Sequence, residues 1–295
     1  MPTLLMPRTA DIGPFTVRRL LPNHPLRSVG PFVFFDHFGP AQVTPATPID
    51  VPPHPHIGLA TVTYLLAGSM MHRDSLGTIQ RITPGDVNWM TAGRGIVHSE
   101  RRDPAQPATP QPHEGLQLWV GLPRADEACA PRFAHHPAAT LPTRRADGVA
   151  LTLIAGTGFG MTAPVAVASP LGYVSAELAD GSALRLAPEH PERAVYVVAG
   201  AVTVDGTPLP LGRLLVLDAG GEAVIAARGS ARVMILMGAP LDGPRFLDWN
   251  FVGSDRARLA QARADWAAHR FATISGDDRE RVELPAPRPG PAPAG

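Results

Sequence analysis

The chain has no lysine. Its 26 basic side chains are all arginine and are matched by 26 aspartates and glutamates, so the formal charge is zero. A chain without a net field has nothing to draw it onto phosphate backbones or anionic lipid, which argues against a direct nucleic-acid ligand or a membrane surface. Cysteine is almost absent too. Cys129 stands alone, so no intrachain disulfide can form and no thiolate cluster can bind a metal; a reducing compartment fits. No apolar run approaches the ~18 residues of a membrane span. The opening MPTLLMPRTADIGPF lacks a basic segment followed by an apolar one. The expectation is a soluble, cytoplasmic protein.

What is present is apolar material in short pieces. Hydrophobic residues make up 44% of 295 positions, enough for packed cores, and the length suits two domains. Pro and Gly recur at short intervals up to about residue 250. Between them lie apolar and β-branched runs such as Ala60–Leu66, Gly115–Val120 and Ala194–Val198. Short strands with frequent turn signals predict an all-β sandwich or barrel. One helix is predicted, near 255–268, capped by Ser254 or Asp255, with Ala257, Leu259, Ala262 and Trp266 at helical spacing. The Pro/Ala/Gly stretch 286–295 has no periodicity and reads as a disordered tail.

An internal repeat orders these pieces. Tyr64-Leu-Leu-Ala-Gly68 returns as Tyr196-Val-Val-Ala-Gly200, and GDVNWMTAG from Gly85 to Gly93 returns as GRLLVLDAG from Gly212 to Gly220. The chain therefore reads as two copies of one β domain, expected at 1–135 and 136–285.

The first copy carries a constellation that the second lacks. His54 and His56 stand two apart on an extended segment, so both rings face one side; His98 and Glu100 repeat the spacing. Two neighbouring strands, each offering two donors, make a cage of three imidazoles and one carboxylate. That donor set suits Fe, Mn, Ni, Cu or Zn, with Fe(II) the first choice, and leaves about two cis positions open on an octahedral ion. In the second copy Leu186, Pro188, Ile225 and Ala227 fall at the matching places, none of them a ligand.

Taken together, HPHIGLATVTYLLAG, DSLGTIQRITPGDVNWMTAGRGIVHSE and GLQLWVGLP resemble the N-terminal domain of the pirin family, and FVFFDHFGP fits its start. PLDGPRFLDWNFVGSDRARLAQARADW with RFATISGDD resembles the family's C-terminal domain. The resemblance implies a two-domain all-β bicupin with one metal, usually iron, in the N-terminal domain on His54, His56, His98 and Glu100. The second domain is then metal-free. It also implies one of two functions. The first is an Fe(II) dioxygenase like quercetin 2,3-dioxygenase, taking O₂ and a flavonol-like or other enolisable small molecule, with Glu100 as ligand and general base. The second is an iron-dependent, redox-sensing regulator acting through a protein partner.

Several positions depart from the family pattern or stay open. Where many members carry Arg and Glu beside the HxH, this chain has Ile57 and Ala60, which predicts a more apolar mouth. Gly121 replaces an Asn and bears on the pocket wall. His72 and Asp74 share one strand face, either supporting a ligand histidine or facing solvent. Gln117 and Trp119 share another face that can line a cavity, with packing the better reading for Trp119. Asp36 and His37 are expected at a turn, and His135 and His136 on the surface.

Overall fold

The computed structural model describes residues 1–12 and 15–285; the expected tail at 286–295 lies outside them. Two β structures account for most of the chain. In the first, a seven-stranded antiparallel sheet runs in the order Arg132–His136, Val87–Thr91, Leu59–Ala67, Gln111–Gly121, Phe32–Val43, Phe15–Leu21 and Arg8–Ile12. A four-stranded sheet faces it, in the order Val51–His56, Ile96–Arg102, Met70–Asp74 and Ile79–Ile82. In the second, a ten-stranded sheet is built around the long strands Glu192–Val204 and Ala223–Gly238. This is the two-domain all-β bicupin architecture expected from the sequence.

Alternation along the strands decides where each side chain goes. On Leu59–Ala67, Ala60, Val62 and Tyr64 point away from the first barrel and join one large apolar cluster with Phe32, Phe35, Leu116 and Leu118. Tyr173, Tyr196, Met234 and Leu236 of the second domain complete that cluster, so it is the seam between domains. The chain's three tyrosines all lie there. Thr61 and Thr63, on the opposite face of the same strand, are buried inside the first barrel. The corresponding interior of the second barrel is filled by aliphatic residues, Leu186, Ile225 and Ala227 among them. Three of the places that would match the ligands are thus packed with aliphatic side chains, while Pro188, the fourth, is exposed.

Both ends of the chain cross over. Thr3–Leu5 pairs with Leu214–Val216 in the second domain's sheet. Beyond Gly238 the chain returns to the first domain. There Phe251, Leu259, Ala262, Trp266 and Ile274 pack on Ile57 and Val97. The helix Arg256–Ala267 belongs to this return; the Asp255 side chain accepts a hydrogen bond from the Ala257 N–H at 2.8 Å, as its sequence predicts. No helix among the described residues is long and apolar enough to cross a membrane.

Two expectations are corrected. Asp36 and His37 lie within the long strand Phe32–Val43 rather than at a turn. Asp36 accepts both Nε and an Nη hydrogen of Arg19, at 2.8 and 2.7 Å, while His37 bridges Tyr196 and Glu114 at 2.7 and 2.9 Å. These contacts are long-range pairings that no local pattern announces. His135 and His136 belong to the edge strand Arg132–His136 and are half-buried.

His113 sets an acid limit on this fold. Its ring is buried, stacked on Phe38 at 5.3 Å, and neither nitrogen has a hydrogen-bond partner. Burial lowers its pKa from 6.5 to about 4. A histidine kept neutral by the fold supports stability above pH 6.5, and that support is lost as pH falls from there towards 4. His113→Phe keeps the stacking and removes the titration. Urea unfolding at about pH 7.5 and about pH 5 should show the variant losing roughly 2 kcal/mol less than the parent across that interval.

Candidate metal centre

The strands Val51–His56 and Ile96–Arg102 are antiparallel neighbours, with His98 opposite His54 and Ile96 opposite His56. Residues opposite each other on such a ladder project to the same side, and so do residues two apart. The three imidazoles are therefore driven together, with ring centroids 4.3 Å apart for His54 and His98 and 5.0 Å for the other two pairs. One nitrogen from each lies within 4.8 Å of the others, and all three rings are buried.

Their hydrogen bonds say which nitrogens face inward. The His54 Nδ1 sits 2.9 Å from the Pro52 carbonyl and the His56 Nδ1 3.1 Å from the Asn250 carbonyl. A carbonyl only accepts, so each Nδ1 carries the proton and each Nε2 keeps a bare lone pair. Burial, reinforced by neighbouring imidazoles, holds His54 down to about pKa 4 and His56 and His98 well below 6.5. The rings stay neutral, as metal ligands must. The Nε2 atoms of His56 and His98 are 3.1 Å apart. Two cis donors each ~2.1 Å from one ion stand ~3.0 Å apart, so the spacing fits a shared transition-metal ion.

Glu100 lies one alternation further along the same strand, also buried, but outside the group of three nitrogens. A register shift between His98 and Glu100 sets Glu100 opposite Val51, one place beyond the regular pairing. Burial pushes its carboxyl up to about 7, against a hydrogen bond donated by Thr63 Oγ1 at 3.3 Å. The Thr63 hydroxyl also stands 2.8 Å from Gln117 Oε1, so the seven-stranded sheet supplies the polar wall opposite the ligand strands. Trp119, on the same face as Gln117, lies 5.1 Å from His56 and stacks on Phe34 at 3.9 Å; the Arg19 guanidinium covers the far side of Phe34. Packing is the role this column shows.

Of the two readings for His72 and Asp74, the interior one holds. His72 is opposite Glu100 and Asp74 opposite His98, and both side chains are buried. Ile57 and Ala60, by contrast, do not form a mouth. Ile57 is sealed under the returning C-terminal segment, against Phe251, and Ala60 faces the domain seam. Gly121 packs against Leu241, with only 2.9 Å between a Cβ placed there and Leu241 Cδ1, so it shapes a packed wall. The residue that sequence reasoning missed is Asn250, which acts through its backbone oxygen and lies 194 positions from His56. A backbone acceptor leaves no signature in side-chain identity.

Gly58 is the hinge of this arrangement. Its φ is +69°, its N–H donates to the Gly93 carbonyl, and a Cβ there would lie 1.9 Å from the Val252 carbonyl oxygen. Gly58→Ala must push the segment around Val252 away, and the Asn250 carbonyl with it. We expect a loss of about 3 kcal/mol in thermal or urea unfolding. Weaker metal uptake should accompany it in chelator competition, roughly 10-fold or more.

A family model described as Pirin matches residues 14–120, and one described as Pirin C-terminal cupin domain matches residues 173–272. A pirin-like protein from Caulobacter vibrioides is 47% identical over 281 residues, covering 94% of this chain and 97% of the relative. Pirin from Homo sapiens is 30% identical over 258 residues, covering 85% of this chain and 86% of the relative. A crystal structure of quercetin 2,3-dioxygenase from Acinetobacter baumannii superposes with a TM-score of 0.90 at 36% identity, covering 98% of this chain and 97% of that one. The chain belongs to the pirin family of two-domain cupin proteins.

Proposed function

We propose that the protein is a metal-dependent dioxygenase of the quercetin 2,3-dioxygenase type, holding Fe(II) on His54, His56, His98 and Glu100. The observation that carries this reading is the cluster of three buried, neutral imidazoles, two of whose Nδ1 atoms are tied to backbone carbonyls. The likeness to the Acinetobacter baumannii quercetin 2,3-dioxygenase supports the choice of reaction and of substrate class, a flavonol-like or other enolisable molecule with O₂. Mn, Ni, Cu and Zn suit the same donors. A reducing, cytoplasmic setting suits ferrous iron and a single cysteine.

When bound, the ion supplies Lewis acidity and a route for electrons between an enolate and O₂. The protein supplies the rest. Its buried imidazoles bind without giving up a proton, since the Nδ1 hydrogens of His54 and His56 are held by carbonyls and their Nε2 lone pairs are bare. Glu100, steadied by Thr63, has a carboxylate oxygen to take the proton of a substrate hydroxyl; this deprotonation makes the electron-rich form that oxygenation needs. The enclosing walls, with Trp119 and Phe34 stacked beside His56, keep bulk water from the ligand face.

Anaerobic loading with Fe(II), followed by addition of O₂ and quercetin, should give O₂ uptake. His56→Ala should abolish both iron retention and uptake. Glu100→Gln, where iron is retained, should slow uptake roughly 10²–10⁴-fold. Absence of uptake by protein shown to contain one equivalent of iron overturns the dioxygenase reading.

A further inference from the structure

His98 differs from the other two histidines of the cluster: no carbonyl holds its Nδ1. Instead that atom faces His72 Nδ1 at 3.4 Å. The far nitrogen of His72, Nε2, lies 3.0 Å from Asp74 Oδ2. Asp74 Oδ1 accepts the backbone N–H groups of Leu76 and Thr78 at 2.9 and 3.1 Å, so its carboxylate cannot turn away. His72 and Asp74 are 4% and 1% exposed, which keeps water from standing in for either partner.

For a neutral His72, the proton positions along this line follow from donor and acceptor capacity. A carboxylate has no hydrogen to give, so His72 Nε2 donates to it. The neutral ring then has a lone pair at Nδ1. The facing Nδ1 of His98 must donate to that lone pair, which leaves His98 Nε2 bare and aimed at the bare His56 Nε2. Two facing lone pairs call for a cation between them.

We propose that Asp74 and His72 are positioning residues: a two-step relay that sets the tautomer of His98, turning its Nε2 lone pair towards the metal position and making the ring a stronger donor. This rests on His98 being a metal ligand, as proposed above. It departs from a structural role in one consequence. Asparagine at position 74 has nearly the shape of aspartate, and its oxygen would stay pinned by Leu76 and Thr78. Its amide N–H would then point at His72 Nε2. Every proton along the line reverses: His72 Nδ1 donates to His98 Nδ1, and His98 carries its proton on Nε2, where the metal should sit. All hydrogen bonds remain satisfied, so Asp74→Asn preserves the fold and blocks the site. A wrong tautomer with intact geometry has the same effect in serine-protease triads.

The test uses the full chain and two variants, Asp74→Asn and His72→Phe; the latter keeps the ring stacked on Phe133, 4.4 Å away, and removes the acceptor. Nitrogen-15 spectra of the metal-free protein should place the His98 proton on Nδ1 in the parent and on Nε2 in Asp74→Asn. Affinity for Ni(II), measured by chelator competition, should fall 10–100-fold in His72→Phe and at least as far in Asp74→Asn, with the melting temperature of metal-free Asp74→Asn unchanged. In iron-loaded His72→Phe the reduction potential should rise, since a ring relieved of its acceptor donates less to Fe(III). The relay is overturned if the parent carries the His98 proton on Nε2, or if Asp74→Asn binds Ni(II) as tightly as the parent. A parent with the proton on Nδ1 that takes up no metal at all counts against the metal centre and not against the relay.

Discussion

The structure is organised around a set of lone pairs that ought to repel. Three imidazoles are pressed together in a buried space, with the Nδ1 hydrogens of His54 and His56 committed outward. Left alone, such a group would protonate or swing apart; both escapes are closed. Burial makes an imidazolium costly, and the ladder between Val51–His56 and Ile96–Arg102 fixes the backbone that carries the rings. A slip of one residue in that ladder would turn all the candidate ligands to the other face of the sheet. Register, more than any single contact, makes the site.

Much of this was legible in the sequence. HxH and HxE at strand spacing, in one half of a chain with an internal repeat and replaced in the other by Leu186, Pro188, Ile225 and Ala227, point to the cluster of three imidazoles. The duplication succeeded as a guide because strand pattern and glycine turns are local, and local patterns survive in a linear reading. What stayed hidden was non-local. Ile57 looked like a change at the mouth of the site, yet it lies under Phe251, because the chain returns from the second domain to cover it. Asp36 and His37 looked like turn residues because Gly39-Pro40 follows them. Their partners Arg19 and Tyr196 lie 17 and 159 positions away. Glu100, expected as the fourth donor, receives a hydrogen bond from Thr63 at 3.3 Å, a contact that comes from the facing sheet and has no local signature.

The two domains fill their barrels differently. One keeps polar residues inside its barrel, at the expense of packing; the other fills the same volume with aliphatic side chains. The seam between them is nearly all apolar, with the three tyrosines gathered in it. Among its polar contacts, His37 joins Tyr196 in the second domain to Glu114 in the first, and the Gly30 N–H donates to Glu192. Such a seam leaves little freedom for one domain to swing on the other.

The crossing of the chain from the second domain back onto the first has a consequence for how the protein comes into being. The acceptor that orients His56 is synthesised 194 residues after it, and the N–H of Val282 that closes onto the Pro53 carbonyl comes later still. While the ribosome is still making the second domain, the first already has its histidines but not the carbonyl that points one of them inward. Until the returning segment has been released and has settled, the His56 Nδ1 hydrogen lacks this acceptor and the arrangement of the three rings is incomplete.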